Sequence, residues 1–547
     1  MTDTYSTTTS LVDVQICIST AKSGGTGTQV FPICGVLQYC RVHLLWAIMK
    51  SVSVFILLLL GLTAHANNIT LGTPSLTGEN RSQGYVFVTF DLSWENSWRG
   101  SNGAANWDAA WVFVKYRIAG GEWQHAKLHN TGHLAGAGTP ATVSARLVDD
   151  DTPFEPVGNP GVGVFIHRSA AGVGVGSFTN TGVKLRWNYI ADGIIDGASV
   201  EVRVFAIEMV YVREGAFNVG GGGGYAAFTS TTISTANATT APTGSGMLGG
   251  EAGGYPSGIN SISNVNLAPD NASWPNGYAA FFCMKYEVSQ QQYVDFLNTL
   301  TQTQATNRKS IQTGYRYAIT GSAVASYTTT LPNVACNNLS WADGTAYADW
   351  SGLRPMTELE FEKACRGDQP AVGGEYAWGT SNVVANRYFK RYTLNNEGSA
   401  NEGIATNYST TEGNAFHIYN STDPASGDQH GPLRVGIFAA NGYNTGRVSS
   451  GASYWGIMEL SGNLLERAVM IRNEKGRAFT GIHGDGLLAS NGDADAATWP
   501  GTDAYGAACR GGTLAQDNTL LQVSERYDAG NSYSGRDYSL GFRAVRR

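Results

Sequence analysis

The chain has 547 residues, enough for about three domains, and its 36 Lys and Arg against 43 Asp and Glu leave a formal charge of −7 with no basic excess to hold a nucleic acid. It carries 69 glycines, nearly twice the usual share of about 7%, while only 14% of its residues are charged against a usual ~25%. With 42% hydrophobic residues and 13 Trp it can bury real cores, which excludes a solvating disordered chain, and so much glycine excludes a helical bundle or coiled coil.

The first apolar run, Val52 to Leu62, follows Met49 and Lys50 and precedes Thr63-Ala64-His65-Ala66. A basic residue, an apolar stretch of this length and small residues at the last and third-last positions describe a secretory signal peptide cleaved after Ala66. The run is too short to span a bilayer. Residues 49–66 are therefore expected to be the signal peptide, Met49 the initiator, and residues 1–48 an upstream leader that is not part of the protein; a type II anchor at 52–62 is the alternative. The mature chain is expected outside the cytoplasm, extracellular, on the cell surface or in the periplasm, with no transmembrane span. Cys17, Cys34 and Cys40 fall in the leader, which leaves Cys283, Cys336, Cys365 and Cys509. Export permits disulfides, and the wide spacings without a CxxC leave open both one or two bridges and four buried thiols.

Residues 67–205 read as β. Tyr85 to Trp94 and Ala110 to Tyr116 are rich in β-branched and aromatic residues, and Val183 to Trp187 and Ser199 to Phe205 alternate, with Gly, Asn, Asp and Pro clusters between. An all-β sandwich of immunoglobulin or fibronectin type is expected. The second region, 206–547, reads as α+β. Residues 219–260 contain a run of five glycines and a Gly/Ser/Thr-rich stretch, which by composition alone is a linker. Ser289 with Gln292 caps a helix carrying Tyr293, Phe296, Leu297 and Leu300. Ser340 caps one burying Ala346, Tyr347 and Trp350. Thr357 with Glu360 forms a capping box before Phe361, Ala364 and Cys365.

Six ordered motifs then resemble the formylglycine-generating-enzyme, or sulfatase-modifying-factor, family. They are Glu208-Met209-Val210-Tyr211-Val212; Glu287-Val288-Ser289 with Tyr293 and Phe296; Leu339-Ser340-Trp341 through Trp350 and on from Arg354-Pro355 to Glu362; Tyr454-Trp455-Gly456 through Ser461-Gly462-Asn463 to Glu466; Arg510-Gly511-Gly512-Thr513; and Gly541-Phe542-Arg543. The resemblance implies a variant of the C-type-lectin fold over 206–547, with 219–260 as an internal insertion. It also implies a copper site made by two Cys just after the Gly-Gly element. The matching positions here are Gln516 and Leu521, and neither supplies the thiolate that Cu(I) favours. Copper is therefore not expected, and the domain is read as catalytically silent. His417, His430 and His483 lack the spacing to carboxylates that the family's iron-dependent members imply. Calcium is a second implied metal: Asn463 and Glu466 match its positions and are hard oxygen donors, although Leu465 and Arg467 replace the usual aromatic neighbours. A hydrogen-bonded turn is the other reading of that pair.

One branch of the family consists of variable proteins of diversity-generating retroelements, whose rewritten codons lie just before a fixed Gly-Phe-Arg ending. Residues 514–539, within the candidate ligand-facing segment 510–547, resemble such a region in their density of Asn, Asp, Ser and Tyr. These are adaptable contact residues. Gln516, Asn518, Asp528, Asn531, Tyr533, Asp537 and Tyr538 are the candidate ligand-facing positions, for a protein or glycan partner. His125, His129 and His133, spaced by four, fall in a Gly- and Asn-rich stretch and are not expected to bind zinc. Lys285, Arg354 and Glu358 are read as fold-defining pairs. The expected function is thus a secreted or surface binding protein; a non-copper enzyme of the same family and a structural surface or filament subunit, self-assembling through the sandwich, are the alternatives.

Overall fold

The computed structural model describes residues 68–145, 161–228, 230–238, 271–384, 392–417 and 431–547. The leader, the signal peptide, His430 and most of the insertion lie outside these residues. In chain order the first half supplies β1 (Thr70–Leu71), β2 (Ser75–Asn80), β3 (Tyr85–Arg99), β4 (Asp108–Ile118), β5 (Gln124–His125), β6 (Ala137–Gly138), β7 (Ala141–Ser144), β8 (Val164–Arg168), β9 (Val173–Trp187) and β10 (Val200–Val212). The second half opens with β11 (Phe217–Val219), β12 (Thr231–Ile233) and β13 (Phe281–Met284), followed by helices α1 (Gln290–Leu297) and α2 (Gln302–Arg308). Next come β14 (Ile319–Thr320), β15 (Thr328–Thr329), α3 (Trp341–Trp350), β16 (Arg354–Thr357) and α4 (Glu358–Arg366). The chain ends with β17 (Leu394–Asn395), β18 (Gly403–Ile404), β19 (Glu466–Val469), α5 (Glu474–Arg477), β20 (Ala507–Arg510) and β21 (Ala544–Arg546). The described residues are β-rich with few helices, and none of those helices is long and apolar enough to cross a membrane.

Two sheets face one another in the first half. β3 pairs with β9 on one side and with β1 and β2 on the other, and β6 lies beyond β9. The alternating residues Val86, Val88, Phe90, Leu92 and Trp94 of β3 turn inward and meet Ala110, Val112 and Val114 of β4, as period-two patterning requires. The second sheet does not stop at the sandwich. It runs β7-β8-β4-β10-β13-β21-β16-β19-β20, with β5 added to β4, into the far end of the chain.

β10 makes that continuity possible. It pairs with β4 from Val200↔Ile118 to Val210↔Asp108, and its last four residues also pair with β13, from Met209↔Met284 to Val212↔Phe281. The boundary expected between 205 and 206 therefore falls inside one strand. The alternating run after Ser199 and the apolar run after Glu208 look different because their surroundings differ, half-exposed in the first and buried in the second. β4 is buried on both faces. Its Trp111 and Phe113 enter a separate cluster with Met209 and Tyr211 of β10, Phe282 of β13, and Tyr347 and Trp350 of α3.

The three expected helices form, two with the expected pairs Ser289 with Gln292 and Thr357 with Glu360, and the third behind the expected Ser340 cap, which also forms a box with Asp343. A fourth, α2, carries a Thr301 and Gln304 capping box, a pattern also visible in the sequence. The start of the insertion is docked, not free. The Gly220 amide donates to Glu362 at 2.7 Å, the Tyr225 amide to Glu525 at 2.6 Å, and the Gly374 amide to the Gly222 carbonyl at 2.6 Å. At Gly224, where φ is +103°, a Cβ would meet the Glu525 backbone at 3.1 Å, so glycine permits the approach. Cys283, Cys336, Cys365 and Cys509 are buried free thiols.

Trp111 is fully buried, donates its indole N–H to the Ser351 carbonyl at 2.8 Å and lies beneath the Arg546 guanidinium. Trp111→Ala is expected to cost about 3–5 kcal/mol. Because the second sheet is continuous, denaturant titration followed by far-UV circular dichroism and by tryptophan fluorescence should still show a single shared transition; separate midpoints for the two halves would contradict this.

Candidate functional site

The C-terminal segment rests on a buried lattice of arginines and carboxylates. Glu358 and Glu362 project from α4, whose first turn is set by the Thr357 cap. Arg510 at the end of β20 donates to Glu362 at 2.9 Å and to Glu358 at 3.3 Å. Arg526 clasps Glu358 at 2.8 and 3.1 Å, and Arg366 reaches Glu375 at 2.5 Å and the Ser524 hydroxyl at 3.0 Å. Burial pushes the Glu358 carboxyl up, but Arg526 and Arg510 outweigh it and hold it below the usual range. Lys285 sits between Glu208 and Asp108 at 3.1 and 3.5 Å, and Arg354 pairs with Glu360 at 2.6 Å. All three residues read as fold-defining from the sequence are thus ion-paired in the interior.

On this base the seven candidate positions divide. Tyr533 is 51% exposed. Gln516 is half-buried; its carboxamide oxygen accepts from the Thr513 amide at 3.0 Å and its nitrogen donates to Asp528 at 2.5 Å. Asn531 accepts from the Tyr533 amide at 3.0 Å, and Asp537 accepts from the Ser539 amide and hydroxyl at 2.9 and 2.6 Å. Asn518 opens a 3₁₀ turn capped by Asp517. Tyr538 stacks on Tyr315 with centroids 4.1 Å apart. Short polar side chains in this segment therefore hold their own loop, and tyrosines supply the open area. Composition did not single out Tyr225 and Tyr527, which are 38% and 37% exposed and pack edge to face at 5.6 Å.

The two positions that match the copper cysteines are separated in character. Gln516 is engaged as described, and Leu521 is fully buried with Tyr376, Trp378 and Ala415.

The Asn463 carboxamide oxygen accepts from the Leu433 amide at 2.9 Å and its nitrogen donates to Glu287. Glu466 takes the Arg543 Nε–H at 2.8 Å, leaving one oxygen without a partner. The Asn463 side-chain oxygen is committed to an amide and a guanidinium already sits on Glu466, so the residues do not form a calcium cage; Asn463 is the satisfied turn residue, in a left-handed conformation at φ +65°. Its neighbours form a carboxyl cluster. Burial raises Glu287 well above the usual range, with Glu466 and Glu459 adding to it, and burial pushes Glu459 up to about 7.

Elsewhere, Asp349, Asp485 and Asp495 bring carboxylate oxygens within 4.8 Å of one another, but both Asp349 oxygens accept backbone amides, from Asp485 at 3.2 Å and Asp495 at 3.0 Å, and so fasten that loop. His125, His129 and His133 share no site. His125 meets the Val162 carbonyl at 2.5 Å and His133 the His129 carbonyl at 2.6 Å.

Glu459 yields a pH prediction. Its folded-state value, about 7, lies above the ordinary 4.5, so the native state holds an extra proton between them; the stabilisation is present below about 4.5 and lost as pH rises through about 7. Glu459→Gln removes this loss while keeping an acceptor for the Gly436 amide. Thermal unfolding should show the variant gaining on the wild type from about pH 5 to about pH 8, by on the order of 3 kcal/mol. A constant gap would refute the assignment.

With this geometry established, comparison with known proteins places the chain. The family described as "Sulfatase-modifying factor enzyme 1-like domain" matches residues 208–547. A formylglycine-generating enzyme of Streptomyces coelicolor (strain ATCC BAA-471 / A3(2) / M145) is 44% identical over 57 residues, 10% of this chain and 18% of that enzyme. The matched family region begins within β10, so its first strand is also the last strand of the sandwich, and the chain belongs to the sulfatase-modifying-factor enzyme 1-like family through residues 208–547.

Proposed function

We propose that the chain is a secreted or cell-surface binding protein whose family domain displays a C-terminal ligand surface and is catalytically silent toward copper-dependent oxidation. The observation that carries this reading is the pair at the copper positions. Gln516 is tied to Asp528 and Leu521 is sealed in an apolar cluster, so no thiolate is available where the resemblance implies two. Tyr527 and Tyr533 lie exposed nearby in sequence, Tyr527 directly after Arg526, which clasps Glu358. Exposed tyrosines suit recognition, because Tyr offers amphipathic area at low entropic cost. The partner class is a protein or a glycan.

We read residues 514–539 further as a segment open to codon rewriting. Its two flanks are buried and hydrogen-bonded: Arg510 through Glu362, and Arg543 through Glu466 and the Met284 and Met458 carbonyls at 2.8 and 2.7 Å. Changes at the exposed positions between such anchors, Tyr527 and Tyr533 among them, alter contacts without releasing the fold, whereas Leu521 and Arg526 belong to its interior. A near-copy of the last coding segment downstream, differing at adenines and lying beside a reverse-transcriptase gene, is the expected genomic signature; without it the segment is an ordinary binding surface.

Tyr527→Ala and Tyr533→Ala should leave the melting temperature within about 1 °C, as exposed substitutions do, and each should weaken the strongest hit on glycan and surface-protein arrays by roughly tenfold or more. Unchanged binding in both variants would remove the surface from consideration. Metal analysis after incubation with Cu(I) is expected to find far less than one copper per chain. Stoichiometric copper together with oxidation of a cysteine peptide would establish the enzyme instead.

A further inference from the structure

β10 carries an edge that the fold leaves unpaired. The Val114 carbonyl accepts from the Ala126 amide at 2.9 Å, on the side of β4 away from β10. Val114 is the register partner of Val204, so the Val204 backbone groups also point away from β4 in this antiparallel pair. The next residues agree in parity: the Glu208 carbonyl accepts from the Lys285 amide on the outer side, and the Tyr211 amide donates inward to the Trp107 carbonyl, both at 2.9 Å. Val202, Val204 and Ala206 therefore aim their N–H and C=O groups outward. β13 covers that edge only from Met209 onward, and no described residue hydrogen-bonds to these six groups. No Pro interrupts Val202 to Ala206, and Arg203 is its one charged residue, although charge and Pro commonly protect an open edge.

The edge opens into a cleft of about 520 Å³. Ile69 and Leu71 form one wall, beside the sandwich core, and Gln291 and Asp295 of α1 form the other. Phe205 and Trp350, edge to face at 5.0 Å, lie on the α1 side. Among the described residues Asp295 is the sole acid lining the cleft and Arg203, which acts on it electrostatically, the sole cation. Gln291 donates to one of its oxygens at 2.9 Å, and the Arg203 guanidinium is held over Trp123 at 4.7 Å.

We propose that this cleft docks an extended segment of a partner polypeptide, which adds a strand antiparallel to β10, seats aliphatic residues between Leu71 and Val204, and places a Lys or Arg opposite Asp295. Alternating donors and acceptors at strand spacing are matched by a polypeptide backbone, whereas a sugar or lipid offers no such ladder. Both strands already on β10 are antiparallel to it. In that arrangement the residues whose amides face β10 are those whose side chains turn toward the sandwich core, so the aliphatic residues of the partner make the hydrogen bonds.

The full chain is titrated with acetyl-Lys-Val-Lys-Val-Lys-Val-amide, followed by calorimetry and by amide hydrogen exchange. Binding should slow exchange at Val202, Val204 and Ala206. N-methylation of the peptide's Val amides should abolish it, N-methylation of the Lys amides should be tolerated, and Asp295→Asn should weaken it by roughly tenfold. The proposal falls if no slowing occurs at those amides, or if both methylated peptides behave alike. It falls equally if the amides are already protected without peptide: independently of concentration, which would assign the edge to a segment of this chain, or together with dimerisation in sedimentation, which would assign it to a second copy.

Discussion

The pairing of β4 with β10 is the interaction on which the rest of the structure depends. Eleven register pairs, from Val200↔Ile118 to Val210↔Asp108, join them. β4 offers one face to each half of the protein, with Val112 and Val114 toward the sandwich and Trp111 and Phe113 toward α3. A strand buried on both faces leaves no solvent layer between the two cores. The sandwich therefore forms one side of the family domain's sheet, and the orientation of the two cannot be altered without breaking main-chain hydrogen bonds.

Charge is managed differently around the candidate site. Glu358, Glu362, Arg510, Arg526 and Arg366 are all buried, and each has at least one opposite partner within 3.3 Å. Such networks contribute modestly to net stability, since desolvation offsets much of the attraction, but losing one member leaves its partner charged and unpaired. Their main effect is on geometry. Arg510 and Arg526 hold β20 and the C-terminal loop in one register against α4, and the docked glycine run closes the side of the same loop through Tyr225 and Glu525. By contrast, burial pushes the carboxyls of Glu287, Glu459 and Glu466 up, and the nearby Arg543 offsets only part of that effect.

Local signals were the most legible in the sequence. Caps marked the starts of α1, α3 and α4, through the pairs Ser289 with Gln292 and Thr357 with Glu360 and through Ser340 alone, because such signals lie within three residues. The long strands showed their alternation, although Val173 to Thr181 of β9 and the two-residue strands carry too little pattern to read. What could not be read was set by distant contacts. The domain boundary disappeared into β10 because continuity depends on β13 and β4, far away in sequence. The glycine run resembled a linker because composition does not reveal that Glu525 lies against it. Among the candidate contact residues, Tyr533 is open, whereas Gln516 and Asp528 satisfy each other across the loop. The Asn463 motif position similarly gave no sign that the Leu433 amide occupies its oxygen.

The four buried thiols have a consequence for the setting in which the chain works. Cys283 and Cys365 share one packed cluster, Cys336 and Cys509 lie in two others, all without a bridge, and burial drives the Cys283 thiol up to about 12, far from the thiolate that exchange chemistry needs. No covalent cross-link among the described residues supports the fold, so its cohesion does not depend on ambient redox potential. The protein should keep its shape equally under glutathione and in air.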